Sequence, residues 1–151
     1  MKKMSQLFLS IGIMLLVPSL SAQAASHWET DFDKAQDLAA KTGKVMLLDF
    51  TGSDWCGWCI RLKEEVFSKK SFQAYAKDKL VLVQVDFPRK KGQSKELKEQ
   101  NRTLAAKYGI RGYPTIILLS PDGEFMQQTG YQAGGAEAYI EHLEALISQS
   151  Q

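Results

Sequence analysis

The chain has 151 residues, 44% of them hydrophobic and 10% aromatic, with 19 basic against 17 acidic side chains. That composition can cover a core and excludes a disordered chain. A charge balance so near zero leaves no global field for nucleic acid or for an anionic membrane surface.

Residues 1–24 read as an export leader. Met1-Lys2-Lys3 starts it, an apolar run from Leu7 to Val17 follows, and after Pro18 the stretch Ser21-Ala22-Gln23-Ala24 offers an Ala-x-Ala cleavage pattern. The run is too short for a membrane span, which needs roughly 20 apolar residues. Cleavage after Ala24 leaves 127 residues, 25 to 151, with 17 basic and 17 acidic side chains. This part is expected to be a single soluble domain in an oxidising compartment.

Thr30 or Asp31 can cap a helix carrying Phe32, Ala35, Leu38 and Ala39 on one side and stopped by Gly43. Residues 45–50, apolar except for Asp49, have the length of a buried central strand. A turn, Thr51-Gly52-Ser53-Asp54, leads into Trp55-Cys56-Gly57-Trp58-Cys59 and a helix over 60–67, with Ile60, Lys63, Glu64 and Phe67 at helical spacing. A short helical piece over 71–77 precedes a second apolar strand, 80–85, ending at Asp86. Between Pro88 and Lys95 stand Arg89, Lys90, Lys91 and Lys95 with no acid, an exposed basic loop that is either simply solvated or a help in docking a partner. A helix over 96–108 presents Leu97, Leu104, Ala105 and Tyr108 on one face and stops at Gly109. Tyr113-Pro114 precedes a third strand, 115–119, which Ser120-Pro121-Asp122-Gly123 joins as a hairpin to a fourth, 124–129. The last helix, 136–147, turns Ala136, Tyr139, Leu143 and Ile147 inward. Helices alternating with strands and then a terminal hairpin predict an α/β fold, a mixed sheet of about four strands with helices on both faces.

Two cysteines, Cys56 and Cys59, are the whole complement. They build neither a four-cysteine zinc site nor a disulfide framework, and no metal or other cofactor is expected. Their spacing at a strand-to-helix junction allows a small-ring disulfide that a partner thiolate can attack. Cys56, in the first helical turn, gains from unpaired N–H groups and the helix dipole, which favour its thiolate and make it the nucleophile. Cys59, a turn further in, is the resolving thiol, and Trp55 and Trp58 flank the pair. A structural disulfide or a metal half-site are the plainer readings of the same spacing. His27 and His142 read as solvated side chains. Asp49 is either at an exposed strand edge or buried beneath the cysteines, where its pKa rises and it exchanges a proton with the resolving thiol. The Tyr113–Pro114 bond is either an ordinary trans strand start or one of the few cis X-Pro bonds.

Asp49-Phe50 ahead of Trp55-Cys56-Gly57-x-Cys59, together with the run from Ala106 to Thr115 through Gly112-Tyr113-Pro114, resembles thioredoxin. The likeness implies the thioredoxin fold, with Pro114 cis and facing the CxxC motif. It also implies a peptide groove of Trp55, Gly57, Trp58, Gly112, Tyr113, Pro114 and the region of Gly130. A closer likeness, carried by Phe50 to Cys56, Trp58-Cys59, Val85-Asp86-Phe87-Pro88, Gly134-Gly135 and Ala138-Tyr139, is to the DsbH-type proteins of the chlamydial periplasm. It implies a periplasmic disulfide reductant fed by a membrane electron donor of the DsbD kind. The sequence departs from thioredoxin in five ways: one extra residue between Asp49 and Cys56, Leu82 where thioredoxin has the lysine that partners its buried acid, Gly57-Trp58 between the cysteines, Tyr113 in place of a smaller aliphatic residue before Pro114, and about thirteen additional residues between Asp86 and Tyr108.

Trp58 brings no full charge between the cysteines, so the couple is expected to be reducing, nearer about −270 mV than about −120 mV. The main expectation is therefore a thiol–disulfide reductase acting on protein or peptide disulfides, working as a monomer and without nucleic acid. A disulfide oxidase or isomerase is the alternative within the same chemistry. A peptide-binding or assembly module with incidental cysteines is the alternative outside it.

Overall fold

The computed structural model describes residues 27–150. The expected leader, 1–24, lies outside the described residues. β2 (Val45–Thr51) and β3 (Leu80–Asp86) are apolar at nearly every position, the pattern of strands covered on both faces. They pair in parallel, from Val45 opposite Leu80 to Thr51 opposite Asp86. β4 (Thr115–Leu119) runs antiparallel along the other edge of β2, and β5 (Phe125–Thr129) returns beside it. The expected hairpin turn closes through the Gly123 N–H, which donates to the Ser120 carbonyl at 2.9 Å.

The sheet has five strands in the order β1-β3-β2-β4-β5, not about four. The addition is β1 (Trp28–Glu29), which pairs in parallel with Leu82 and Val83 at the edge. Two residues carry no periodicity, so only the pairing reveals it.

Alternation along the strands divides the core in two. Leu47, Leu82, Ile116 and Leu118 face Leu62, Val66, Phe67, Phe72, Ala76, Tyr139 and Leu143. These come from α2 (Gly57–Leu62) and the turn after it, α3 (Lys70–Lys79) and α5 (Gly135–Ser148). Met46, Leu48, Phe50, Val81, Val83, Val85, Ile117 and Leu119 face α1 (Phe32–Thr42) and α4 (Lys95–Lys107) through Ala35, Ala39 and Leu104. Asp31 caps α1 by accepting the Lys34 N–H at 3.1 Å, and Gly43 ends it at a φ of 68°. Only Ala35 and Ala39 of α1 are fully buried, so these small side chains make its closest approach, while Leu38 stays 41% exposed instead of facing in.

The cysteine-bearing helix also departs from expectation. It starts at Gly57 and widens after Leu62 into a π-helical turn, Lys63–Phe67. The wider turn breaks the 3.6-residue register. Leu62, Val66 and Phe67 face the core, and Ile60 is 37% exposed.

This topology sets three chain segments side by side. β2 ends at Thr51, β3 ends opposite it at Asp86, and β4 begins with Thr115 opposite Phe50. The turn 52–55, the loop after Asp86 and Tyr113-Pro114 therefore converge where α2 begins.

Candidate active site

Cys56 is the N-cap of α2, in extended conformation, and its Sγ accepts the Cys59 N–H at 3.2 Å. The two cysteines are joined by a disulfide with Cα atoms 5.2 Å apart. Both are mostly covered, Cys56 at 7% and Cys59 at 4% exposure. An N–H aimed at Cys56 Sγ stabilises a thiolate there once the bond opens, because a charge-assisted hydrogen bond favours the ionised form.

Trp55 forms one wall. Its backbone N–H and that of Cys56 both donate to the Gly52 carbonyl, at 3.1 and 2.9 Å. The indole lies so close over Gly52 that a Cβ there would clash with the ring carbon Cε2. Its Nε1–H donates to the Phe87 carbonyl at 2.8 Å. Tyr113 meets Trp55 edge-on at 5.8 Å and Phe87 at 5.3 Å, and the Arg89 guanidinium sits 3.8 Å from the Trp55 ring centroid. Asp54 ties the same wall to the basic loop. One oxygen accepts the Arg89 N–H at 2.9 Å and the other those of Lys90 and Lys91 at 2.7 and 3.1 Å. These bonds, the one from Arg89 foremost, hold the Asp54 carboxyl below the usual carboxylate range. Ser53 donates from its N–H and hydroxyl to Asp86, at 2.9 and 2.5 Å.

Trp58 forms the other wall and is 55% exposed. Its ring lies 5.1 Å from that of Tyr131, and the Arg61 guanidinium is 5.4 Å from both. Tyr131 donates its hydroxyl to Glu65 at 2.6 Å, and Arg61 pairs with the other Glu65 oxygen at 2.6 Å. The Tyr131 hydroxyl first, then Arg61, hold the Glu65 carboxyl low.

Behind the disulfide is a cavity of about 260 Å³ lined by Asp49, Cys59, Lys63, Thr51, Gln84 and Gln73, among others. Of the two placements open to Asp49, it takes the buried one: it is 7% exposed, opposite Gln84 in the sheet, and its Oδ1 has no protein partner. Burial, then the charge of Asp86, push its pKa up to about 7, against a smaller opposing pull from Lys63. Leu82 lies on the same sheet face but belongs to the apolar core, so the cation on this cavity comes from the π-helical turn instead.

Cys56, Cys59, Trp55, Gly57, Trp58, Tyr113 and Asp49 are thus gathered at one end of the sheet. The Tyr113–Pro114 bond is cis. Gly112 accepts the Thr115 hydroxyl at 2.8 Å, and Gly130 lies against the Pro114 carbonyl. His142, read as solvated, is partly buried and hydrogen-bonded to Thr129 at 2.8 Å. The sequence reading missed Arg61, Lys63, Phe87 and Tyr131 and left Arg89 as a solvated loop residue. The acid-free run marks only Arg89, and Phe87 stood out only within Val85-Asp86-Phe87-Pro88.

Residues 32–147 match the family model described as a thioredoxin-like domain, and the chain belongs to that family. It is 32% identical over 126 residues to the disulfide bond reductase DsbH of Chlamydia pneumoniae, covering 83% of this chain and 75% of that protein. The thioredoxin-related protein DsbJ of the same species is 27% identical over 158 aligned positions, 99% of this chain and 45% of that one. A solved DsbH oxidoreductase is similar with a TM-score of 0.79 and 30% identity, over 91% of this chain and 95% of the other. With its CxxC disulfide, the protein is a thiol–disulfide oxidoreductase of the DsbH and DsbJ type.

Proposed function

We propose that this enzyme runs mainly as a disulfide reductase in the periplasm, reached by way of the leader at 1–24. The observation that carries the direction is the dipeptide between the cysteines: Gly57-Trp58 holds no titratable group, so little beyond the helix terminus stabilises the reduced form. In the reaction, the Cys56 thiolate attacks one sulfur of a substrate disulfide, forming a mixed disulfide and expelling the first substrate thiolate. Cys59 then attacks Cys56 Sγ, closing the enzyme disulfide and releasing the second. Two electrons pass from enzyme to substrate. Asp49 takes the Cys59 proton and returns it through the cavity to solvent, a role supported by its burial beside Cys59 and a pKa near neutrality. Trp55, Gly57, Trp58, Gly112, Tyr113 and Pro114 line the groove that seats the substrate chain. The enzyme acts as a monomer, and a membrane donor of the DsbD type recharges it, because a reductant in an oxidising compartment needs a source of electrons.

Equilibration with glutathione, followed by Trp55 and Trp58 fluorescence, tests the direction. A potential near about −270 mV is expected, and one approaching about −120 mV would make the enzyme an oxidase. Cys56→Ser is expected to abolish disulfide reduction and Cys59→Ser to accumulate mixed disulfides. Full turnover in both variants would overturn the mechanism.

A further inference from the structure

The loop between β3 and α4 is more than a solvated connection. Asp54 captures three consecutive backbone N–H groups, those of Arg89, Lys90 and Lys91, and Gln93 donates to the Asp86 carbonyl at 3.1 Å. The loop is thereby fixed to the turn that carries Cys56. Its first cation, Arg89, rests on the face of Trp55, the residue immediately before the nucleophile. The basic surface continues onto α4. Lys98 and Arg102 are four residues apart on one face and line a shallow cavity of about 160 Å³ with Phe87 and Pro88.

Little within the chain answers this charge. The ion pairs among the described residues join His27 and Lys34 to Glu29, Arg61 to Glu65 and Lys79 to Asp78; none engages Arg89, Lys90, Lys91, Lys98 or Arg102. Of the acids on these segments, Asp54 turns its oxygens to backbone N–H groups, and Glu96 and Glu99 stand on α4. Residues 25–151 have equal numbers of acids and bases, so this end of the molecule carries a local excess rather than a share of a general one.

We propose that Arg89, Lys90 and Lys91, continued by Lys98 and Arg102, form a docking rim for an acidic segment flanking the disulfide of the polypeptide that this enzyme exchanges with. The inference rests on the exchange chemistry given under Proposed function and adds a substrate class to it. Carboxylates next to the target disulfide approach Arg89 as the target sulfur approaches Cys56, so the charge attraction acts on encounter and orientation together.

The test uses two peptides with identical disulfides, one flanked by Asp and Glu and the other by Lys, reduced by the dithiol enzyme. At about 10 mM salt, where the Debye length is roughly 30 Å, kcat/KM is expected to favour the acidic peptide about tenfold, mostly through KM. At about 150 mM the preference should shrink, since the Debye length falls to roughly 8 Å. The double variant Lys90→Glu/Lys91→Glu is expected to reverse the preference, and Lys90→Gln/Lys91→Gln to reduce it. Equal rates for both peptides at low salt, or a preference unmoved by the charge reversal, would overturn the proposal. So would charge-dependent binding to anionic phosphatidylglycerol vesicles without any peptide preference, which would mark a membrane surface instead. A small uncharged disulfide separates the two levels of the argument. If the wild-type enzyme fails to reduce it or either peptide, the exchange reading itself falls; if it reduces all three without preference, only the rim does.

Discussion

The rim and the floor of the disulfide are built by opposite rules. On the rim, the carboxylates and the indole N–H in contact with water are matched, Asp54 to three N–H groups, Glu65 to Tyr131 and Arg61, and Trp55 to the Phe87 carbonyl, while the cations of the basic loop keep their charge free of ion pairs among the described residues. On the floor, Asp49 is buried with one oxygen unmatched, and its proton affinity rises to suit. The difference teaches that matched polar groups near solvent serve to hold geometry. A buried unmatched one instead holds a proton at a pH where an ordinary carboxyl has lost it.

Asp49→Asn should give the largest departure between floor and rim. The folded carboxyl titrates near 7 against an ordinary 3.8. Its contribution to stability is therefore complete below about pH 4 and is lost as pH rises through 7, by up to about 4 kcal/mol. Denaturant titrations of the oxidised protein should show the Asp49→Asn variant gaining on the wild type by about 2–4 kcal/mol between pH 4 and pH 8. Parallel curves would mean that Asp49 is not held as described. Within the rim, Trp55→Ala should lower stability by about 2 kcal/mol, less than a fully buried Trp would, because its ring is packed on several sides. Trp58→Ala should stay within about 0.5 kcal/mol, as expected of an exposed side chain. Equal losses in urea unfolding would break the distinction between the two walls. The smallest effect belongs to Tyr131→Phe, which keeps the ring against Trp58 and removes only the hydroxyl. It should leave the fold in place and raise the Glu65 titration midpoint, read by carboxyl NMR, because that hydroxyl is the main cause of its depression.

What the sequence disclosed follows from which interactions are local. The start of α1 at Thr30 or Asp31 and its end at Gly43, the Ser120–Gly123 turn and the cysteine spacing all act within a few residues, and each was legible. Strands 45–50 and 80–85 showed themselves as apolar runs, each broken at one position, Asp49 and Gln84. β1 was not legible, since Trp28 and Glu29 become a strand only by pairing with Leu82 and Val83. The regular helix expected over 60–67 turns π-helical at Lys63–Phe67, a change that helical spacing in the sequence does not register. The site divides along the same line. Cys56, Cys59 and the flanking tryptophans announced themselves, whereas Arg89 on Trp55 and Tyr131 on Glu65 join positions 34 and 66 residues apart. Asp49 was visible as an oddity in an apolar run, but whether it was buried depended on what covered it.

The wide turn at Lys63–Phe67 has a consequence for how such a chain tolerates change in length. Adding a residue to a regular helix rotates everything beyond it by about 100°, and a stripe made for the core swings toward water. A turn that bulges absorbs the addition where it occurs. Here it follows the cysteine-bearing turns directly and itself carries the core contacts of Val66 and Phe67. Insertions or deletions on the far side are therefore buffered from the catalytic pair, and the two ends of one helix are free to diverge independently.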